Sequence, residues 1–170
     1  MWVGSASLDL TSAETLVTPT REAAEHQAVS DILGRANAVF IAGGDQADYI
    51  RNWKGTKLAT TLKTLMTNNV PMGGSSAGLA VLGMFDYAAL NGTVTSSDAF
   101  GDSFAPYMTL DPNPLSTTDG FLNPPALVDT ITDSHFDTRK SHGKVGCGCF
   151  QIGHAKRREY WLRRRNSTCR

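Results

Sequence analysis

Residues 70–83 read VPMGGSSAGLAVLG, two apolar runs joined through Gly73-Gly74-Ser75-Ser76-Ala77-Gly78. A short apolar run, then glycines, then a longer apolar run is the pattern of a strand turning into a helix. Gly74-Ser75-Ser76-Ala77-Gly78 also fits G-x-S-x-G, in which a serine sits in a strained bend with its Oγ above the sheet. The motif centres on Ser76 and leaves Ser75 as a neighbour. A helix N-terminus and the Ala77 N–H would favour negative charge developing beside that serine. The alternative is a plain small-residue turn between two buried elements, and the motif alone does not separate the two.

Outward from this bend the chain alternates. Upstream, NAVFIA (37–42) is a short apolar run suited to a strand buried on both faces, ending in the turn Gly43-Gly44-Asp45-Gln46. A helix is predicted over 47–53 and, after Gly55, another over 56–69 with Leu58, Leu62 and Leu65 on one face. Further upstream, SAETLVT (12–18) could hold a strand. Residues 18–36 read as one helix, capped by Thr18 or Thr20. Downstream, 77–90 is predicted helical. Residues 91–125 are dominated by Gly, Pro, Asp, Ser and Thr, a long irregular excursion. Order returns over 126–146. Strand, helix, strand, helix argues for an α/β fold: a mainly parallel sheet with helices on both faces.

The chain has 170 residues, 41% hydrophobic and 19% charged, enough for one domain with a core that needs no disulfide or metal. No apolar run approaches the ~20 residues of a membrane-spanning helix. The first ten residues, MWVGSASLDL, lack the basic start and apolar centre of a signal peptide, so a cytoplasmic protein is expected. Zero net charge conceals an asymmetry: residues 156–170 carry seven basic residues against Glu159 alone. The remainder holds nine basic and fifteen acidic residues. A basic tail can grip anionic partners, but a poorly ordered extension explains it better, and no nucleic-acid or membrane partner is expected. Cys147, Cys149 and Cys169 all lie in the last 24 residues and match no standard zinc spacing, so no metal or other cofactor is expected.

A serine nucleophile needs a base. Of His26, His135, His142 and His154, the best candidate is His135, which closes an apolar stretch 59 residues after Ser76. The N–H groups of the AGGDQ turn (42–46) could supply half of an oxyanion hole. Asp45 serving only as a helix cap explains that turn equally well.

VFIAGGDQADYIRNWKGTKL, VPMGGSSAGLAVLG, LNGTVTSSDAF and ITDSHFDTRKSHGKV, in this order, together resemble cyanophycinase and its relatives. That serine peptidase group includes dipeptidase E and has a fold like the class I glutamine amidotransferases, a flavodoxin-like arrangement. The resemblance runs from about residue 14 to residue 145. It implies Ser76 as nucleophile, His135 as general base, Ala77 and the Gly44–Asp45 turn as oxyanion donors, and Gln46 lining the substrate cleft. It also implies acyl transfer at peptide bonds next to aspartyl residues, on a small peptide substrate. A Ser–His site of this kind could instead hydrolyse simple esters as a carboxylesterase. A catalytically incomplete fragment that binds a partner, or pairs with another copy as a homo-oligomer, is the reading from a different class.

Relative to that family the sequence reads as shortened at both ends. The expected organisation is a partial hydrolytic domain over 1–146, followed by a basic, cysteine-containing tail over 147–170. A third, orienting carboxylate would fall near Glu159, 24 residues past His135.

Overall fold

The computed structural model describes residues 11–115, 119–134, 145, 147–149 and 151–153. Its first half alternates helix and strand: α1 (Arg21–Glu25), α2 (Gln27–Leu33), β1 (Val39–Ile41), α3 (Gln46–Trp53), α4 (Lys57–Thr67), β2 (Met72–Gly74) and α5 (Ala77–Ala80). β1 and β2 pair in parallel, with Phe40 opposite Gly73 and Ile41 opposite Gly74. The Ser75 N–H continues the ladder to the Ile41 carbonyl at 3.1 Å. A parallel pair joined through intervening helices makes this an α/β protein.

Local chemistry explains the elements. Thr20 caps α1 by accepting from the Ala23 N–H, and Asp45 caps α3 by accepting from the Ala47 N–H. Thr56 caps α4, whose Leu58, Leu62 and Leu65 are buried at the spacing of one helical face. Between α3 and α4 the chain reverses at Gly55, with φ of 72°, a conformation that favours glycine. These helices bury Ile41, Ile50 and the α4 leucines in one core with Val81, Leu82 and Phe121.

Several expectations are corrected. Residues 12–18 form no strand. The single helix expected over 18–36 is two, broken at His26, whose backbone turns extended (φ −70°, ψ 129°) and whose Nδ1 accepts from the Ala28 N–H. β1 is not buried on both faces: Ile41 points into the core while Phe40 is 70% exposed. The helix expected over 77–90 lasts one turn, and the chain re-forms as β3 (Asp86–Tyr87). Gly83 permits this, because a Cβ there would lie 2.8 Å from the Phe85 carbonyl oxygen. Phe85 is captured by a parallel bridge to Ile131.

The stretch 91–125 holds more order than its composition suggests. α6 (Ser96–Gly101) starts at a capping box in which Thr95 and Asp98 satisfy each other's N–H groups. β4 (Leu110–Asp111) pairs antiparallel with β3. Phe85, Tyr87, Val94, Ala99, Met108 and Leu110 form a second core, joined by Cys147 and Ile152. The Cys147 thiol donates to the Ala99 carbonyl at 3.0 Å. So the described part of residues 147–153 packs against α6 and β4. Residues 1–10 and 154–170, with most of the expected tail, lie outside the described residues. Among the described residues no helix is long and apolar enough to cross a membrane.

Two buried carboxylates sit where the cores meet. Asp86 and Asp111 are directly opposite across β3 and β4. Asp111 pairs with the Lys54 ammonium at the end of α3. Asp86 Oδ1 and Asp111 Oδ2 have no hydrogen-bond partner among the described residues. Burial pushes the Asp86 carboxyl well above the usual carboxylate range. The neighbouring Asp111 charge adds to the rise, and Lys54 opposes it.

Candidate active site

Ser76 occupies the bend between β2 and α5 with φ of 51° and ψ of −121°, outside the regions that a serine adopts without strain. Both flanking glycines are sterically required. A Cβ on Gly74 would lie 2.3 Å from the Gly78 carbonyl oxygen, and one on Gly78 would lie 2.1 Å from the Ile41 carbonyl oxygen. The backbone of α5 thus rests directly on the end of β1, and this contact drives the chain through the strained serine. Ser76 also serves as the N-cap position: its carbonyl accepts from the Leu79 and Ala80 N–H groups at 3.1 and 3.0 Å.

α5 is a single turn of four residues. The expected contribution of a long helix dipole is therefore small, because that effect grows from aligned peptide units. What remains is local: the N–H of Ala77, the first helical residue, belongs to the set with no intrahelical acceptor. Ala77 is buried.

The second glycine turn meets the first. A Cβ on Gly43 would touch Ser76 Cβ at 3.1 Å and the Ser75 carbonyl oxygen at 3.4 Å. Gly43 and Ser76 therefore face each other at close range, where even a methyl group would be a tight fit. Gly44 and Asp45 follow, both exposed, and the Asp45 carboxylate receives the Ala47 N–H at 2.9 Å. Gln46 opens α3 and is half-buried.

The match to peptidase family S51 extends over residues 9–95. The chain belongs to peptidase family S51. The family match spans both glycine turns, Ser76 and every element from α1 to β3, and it marks the chain as one of a family of hydrolases acting on peptides. No curated protein matches the chain in sequence.

His135 and Glu159, expected as base and orienting acid, lie outside the described residues. The segment leading to His135 is described as far as Ser134. It is tied to the serine's own helix: the Thr132 hydroxyl donates to the Leu79 carbonyl at 2.7 Å, with the Ala80 carbonyl at 3.2 Å. Just before it, the Thr130 carbonyl accepts from the Phe85 N–H at 3.0 Å. Sequence reasoning missed Thr132, although a hydroxyl three residues before a candidate base is a visible signal. It also missed Tyr49, whose hydroxyl donates to the Ala42 carbonyl at 2.8 Å on the glycine turn.

Proposed function

We propose that this S51 family member is a serine hydrolase working by nucleophilic acyl transfer, with Ser76 as nucleophile and His135 as general base. Its substrates in this reading are small peptides cleaved at aspartyl residues, as cyanophycinase cleaves. The observation that carries the reading is the backbone of Ser76. Its strained conformation at a strand-to-helix bend, locked between two glycines and faced by a second glycine turn, is what a nucleophile elbow requires.

In the first half-reaction His135 takes the Ser76 Oγ proton as the oxygen attacks the scissile carbonyl carbon. The oxyanion that forms accepts hydrogen bonds from the N–H of Ala77 and from the Gly44–Asp45 turn. Collapse breaks the C–N bond, the leaving amine receives the proton from His135, and an acyl ester remains on Ser76. Water then gives a proton to His135 and attacks the ester. The acid product departs, and the proton returns to Ser76 Oγ. Glu159 would orient the imidazole, and Gln46 would line the cleft from the start of α3. The Thr132 anchor supports His135 as base, since three residues of chain reach only about 10 Å.

The remaining expectations belong to the same reading. They are a partial class I glutamine amidotransferase-like, mainly parallel sheet with helices on both faces, a cytoplasmic location and catalysis without a cofactor, whereas pairing of two copies as a homo-oligomer belongs to the incomplete-fragment reading.

The test is labelling with a fluorophosphonate probe, followed by a panel of β-Asp-Arg dipeptides and p-nitrophenyl esters. The expected result is a single modified serine, Ser76, no labelling of Ser76→Ala, and turnover favouring the dipeptide. Hydrolysis by purified Ser76→Ala at the wild-type rate would sink the assignment. Turnover of esters alone would make the chain a carboxylesterase, and no labelling would make it a binding protein.

A further inference from the structure

The glycine turn that faces Ser76 is held from its other side by α3. The Tyr49 hydroxyl donates to the Ala42 carbonyl at 2.8 Å and lies 3.2 Å from the Gly43 carbonyl, bridging two successive peptide units. A Cβ on Gly44 would approach that hydroxyl oxygen to 3.1 Å, whereas a Cβ on Gly43 would meet Ser76 Cβ at the same distance. The turn is therefore bounded on two sides, with Ser76 against one glycine and the Tyr49 hydroxyl against the next, while both glycines remain exposed.

This contact fixes more than position. The peptide units of this turn are trans, and in a trans unit the N–H points opposite to its own C=O. Holding the Gly43 carbonyl on Tyr49 therefore turns the Gly44 N–H away from α3 and leaves it free of that side chain. We propose that Tyr49 is a positioning residue for oxyanion binding: its hydroxyl clamps the Ala42 and Gly43 carbonyls and thereby presents the Gly44 N–H to an acyl group on Ser76. The proposal rests on the reading of Ser76 as nucleophile.

The ring is built to hold that hydroxyl in place. Tyr49 stacks on Trp53 with centroids 4.5 Å apart, and the Trp53 indole N–H is itself fixed on the Thr18 carbonyl at 3.0 Å. Burial, with the adjacent Asp48 charge, raises the Tyr49 phenol above its ordinary value, so it stays a protonated donor at neutral pH. An unclamped Gly-Gly turn would sample many peptide orientations, since glycine is the least restricted residue. Preorganised donors are worth more than donors that must reorient during reaction.

Tyr49→Phe keeps the ring and its stacking and removes only the clamp. Fluorophosphonate inactivation rates, steady-state hydrolysis of a p-nitrophenyl ester and thermal melting are measured on wild type and variant. The clamp predicts that kcat and the rate of Ser76 phosphonylation fall about tenfold to a hundredfold. That is less than the roughly 10²–10³ typical of deleting an oxyanion donor outright. KM should stay within about twofold, because the clamp acts on the transition state and not on ground-state binding. A purely structural tyrosine would lower the melting temperature and leave kcat per folded molecule unchanged, and that result overturns the proposal. As a guard against a folding defect, Thr95→Ala removes the cap of α6 and touches neither glycine turn, so it should melt lower but keep kcat per folded molecule. Equal losses in both variants would likewise overturn it. Failure of the underlying reading looks different: wild-type Ser76 would then not be labelled at all, and the clamp would fall with it.

Discussion

Ser76 is held where a side chain is unwelcome. A residue in such a sparsely populated conformation costs on the order of 1–3 kcal/mol, and glycine relieves most of it. Glycine also loses about 0.4–1 kcal/mol more chain entropy on folding than alanine. Ser76→Gly should therefore be about 1 kcal/mol more stable than Ser76→Ala, a comparison in which neither variant has a hydroxyl. Urea denaturation of the pair measures it, and equal midpoints would argue against strain at this position. Gly78→Ala should do the reverse. Its Cβ would lie 2.1 Å from the Ile41 carbonyl oxygen, backbone against backbone, so neither side can give way without moving a strand. A loss of about 3 kcal/mol is expected, the upper part of the overpacking range, with folded yield as a second readout. The glycines around Ser76 are legible in the sequence, because their spacing is itself the signal. The Tyr49 clamp is not, since nothing in a sequence window says which carbonyl a phenol will reach.

At the scale of elements, the sequence is most informative where short-range chemistry decides. The two glycine turns, α3 and α4 are found where caps and apolar spacing put them. Sequence fails as a guide where distant partners decide. AGLAVLGMFDYAAL has a helical pattern throughout, yet Phe85–Tyr87 is drawn out by Ile131 and by β4. No local window contains those partners. α6 escapes notice for a different reason: the polar composition around it hides the Thr95–Asp98 capping box. Thr95→Ala should cost about 1 kcal/mol, read as a shift in the denaturation midpoint, because it leaves the Asp98 N–H without its acceptor. Thr132→Val, close in shape, should cost a similar amount by stripping the hydroxyl from the Leu79 and Ala80 carbonyls. It should also slow hydrolysis, because that hydroxyl fastens the path to His135 onto the serine's helix. A variant that loses stability but keeps full kcat would show that this fastening is irrelevant to the site.

For the molecule as a whole, one link between its two cores is an ion pair, since Lys54 follows Trp53 of the first and Asp111 follows Leu110 of the second. Lys54 leaves the first core at the end of α3 and meets Asp111, and through it Asp86, in the second. Burial raises the Asp86 carboxyl above the ordinary value of 3.8, so the folded protein binds that proton more tightly than the unfolded chain does. The folded state thus binds more protons in the window above that value. Its stability contribution is complete below the window and is lost as pH rises through the raised value. Wild type should accordingly lose stability relative to Asp86→Asn as pH rises from the ordinary carboxylate value through the raised one, since the amide mimics the protonated acid. Urea midpoints across that range test it, and a difference independent of pH would refute a held proton. The acids themselves are visible in the sequence, but their burial opposite one another depends on the pairing of β3 with β4, two-residue strands too short to leave a pattern.

The strain at Ser76 carries a consequence for how such a chain drifts over generations. Random change under selection for folding alone moves each position toward the residue its backbone prefers, and here that residue is glycine. A lineage released from its chemistry would gain stability by discarding the hydroxyl in one step and would lose stability by restoring it. The exit is downhill and the return uphill. A serine standing at this bend is a position that folding alone would not have chosen.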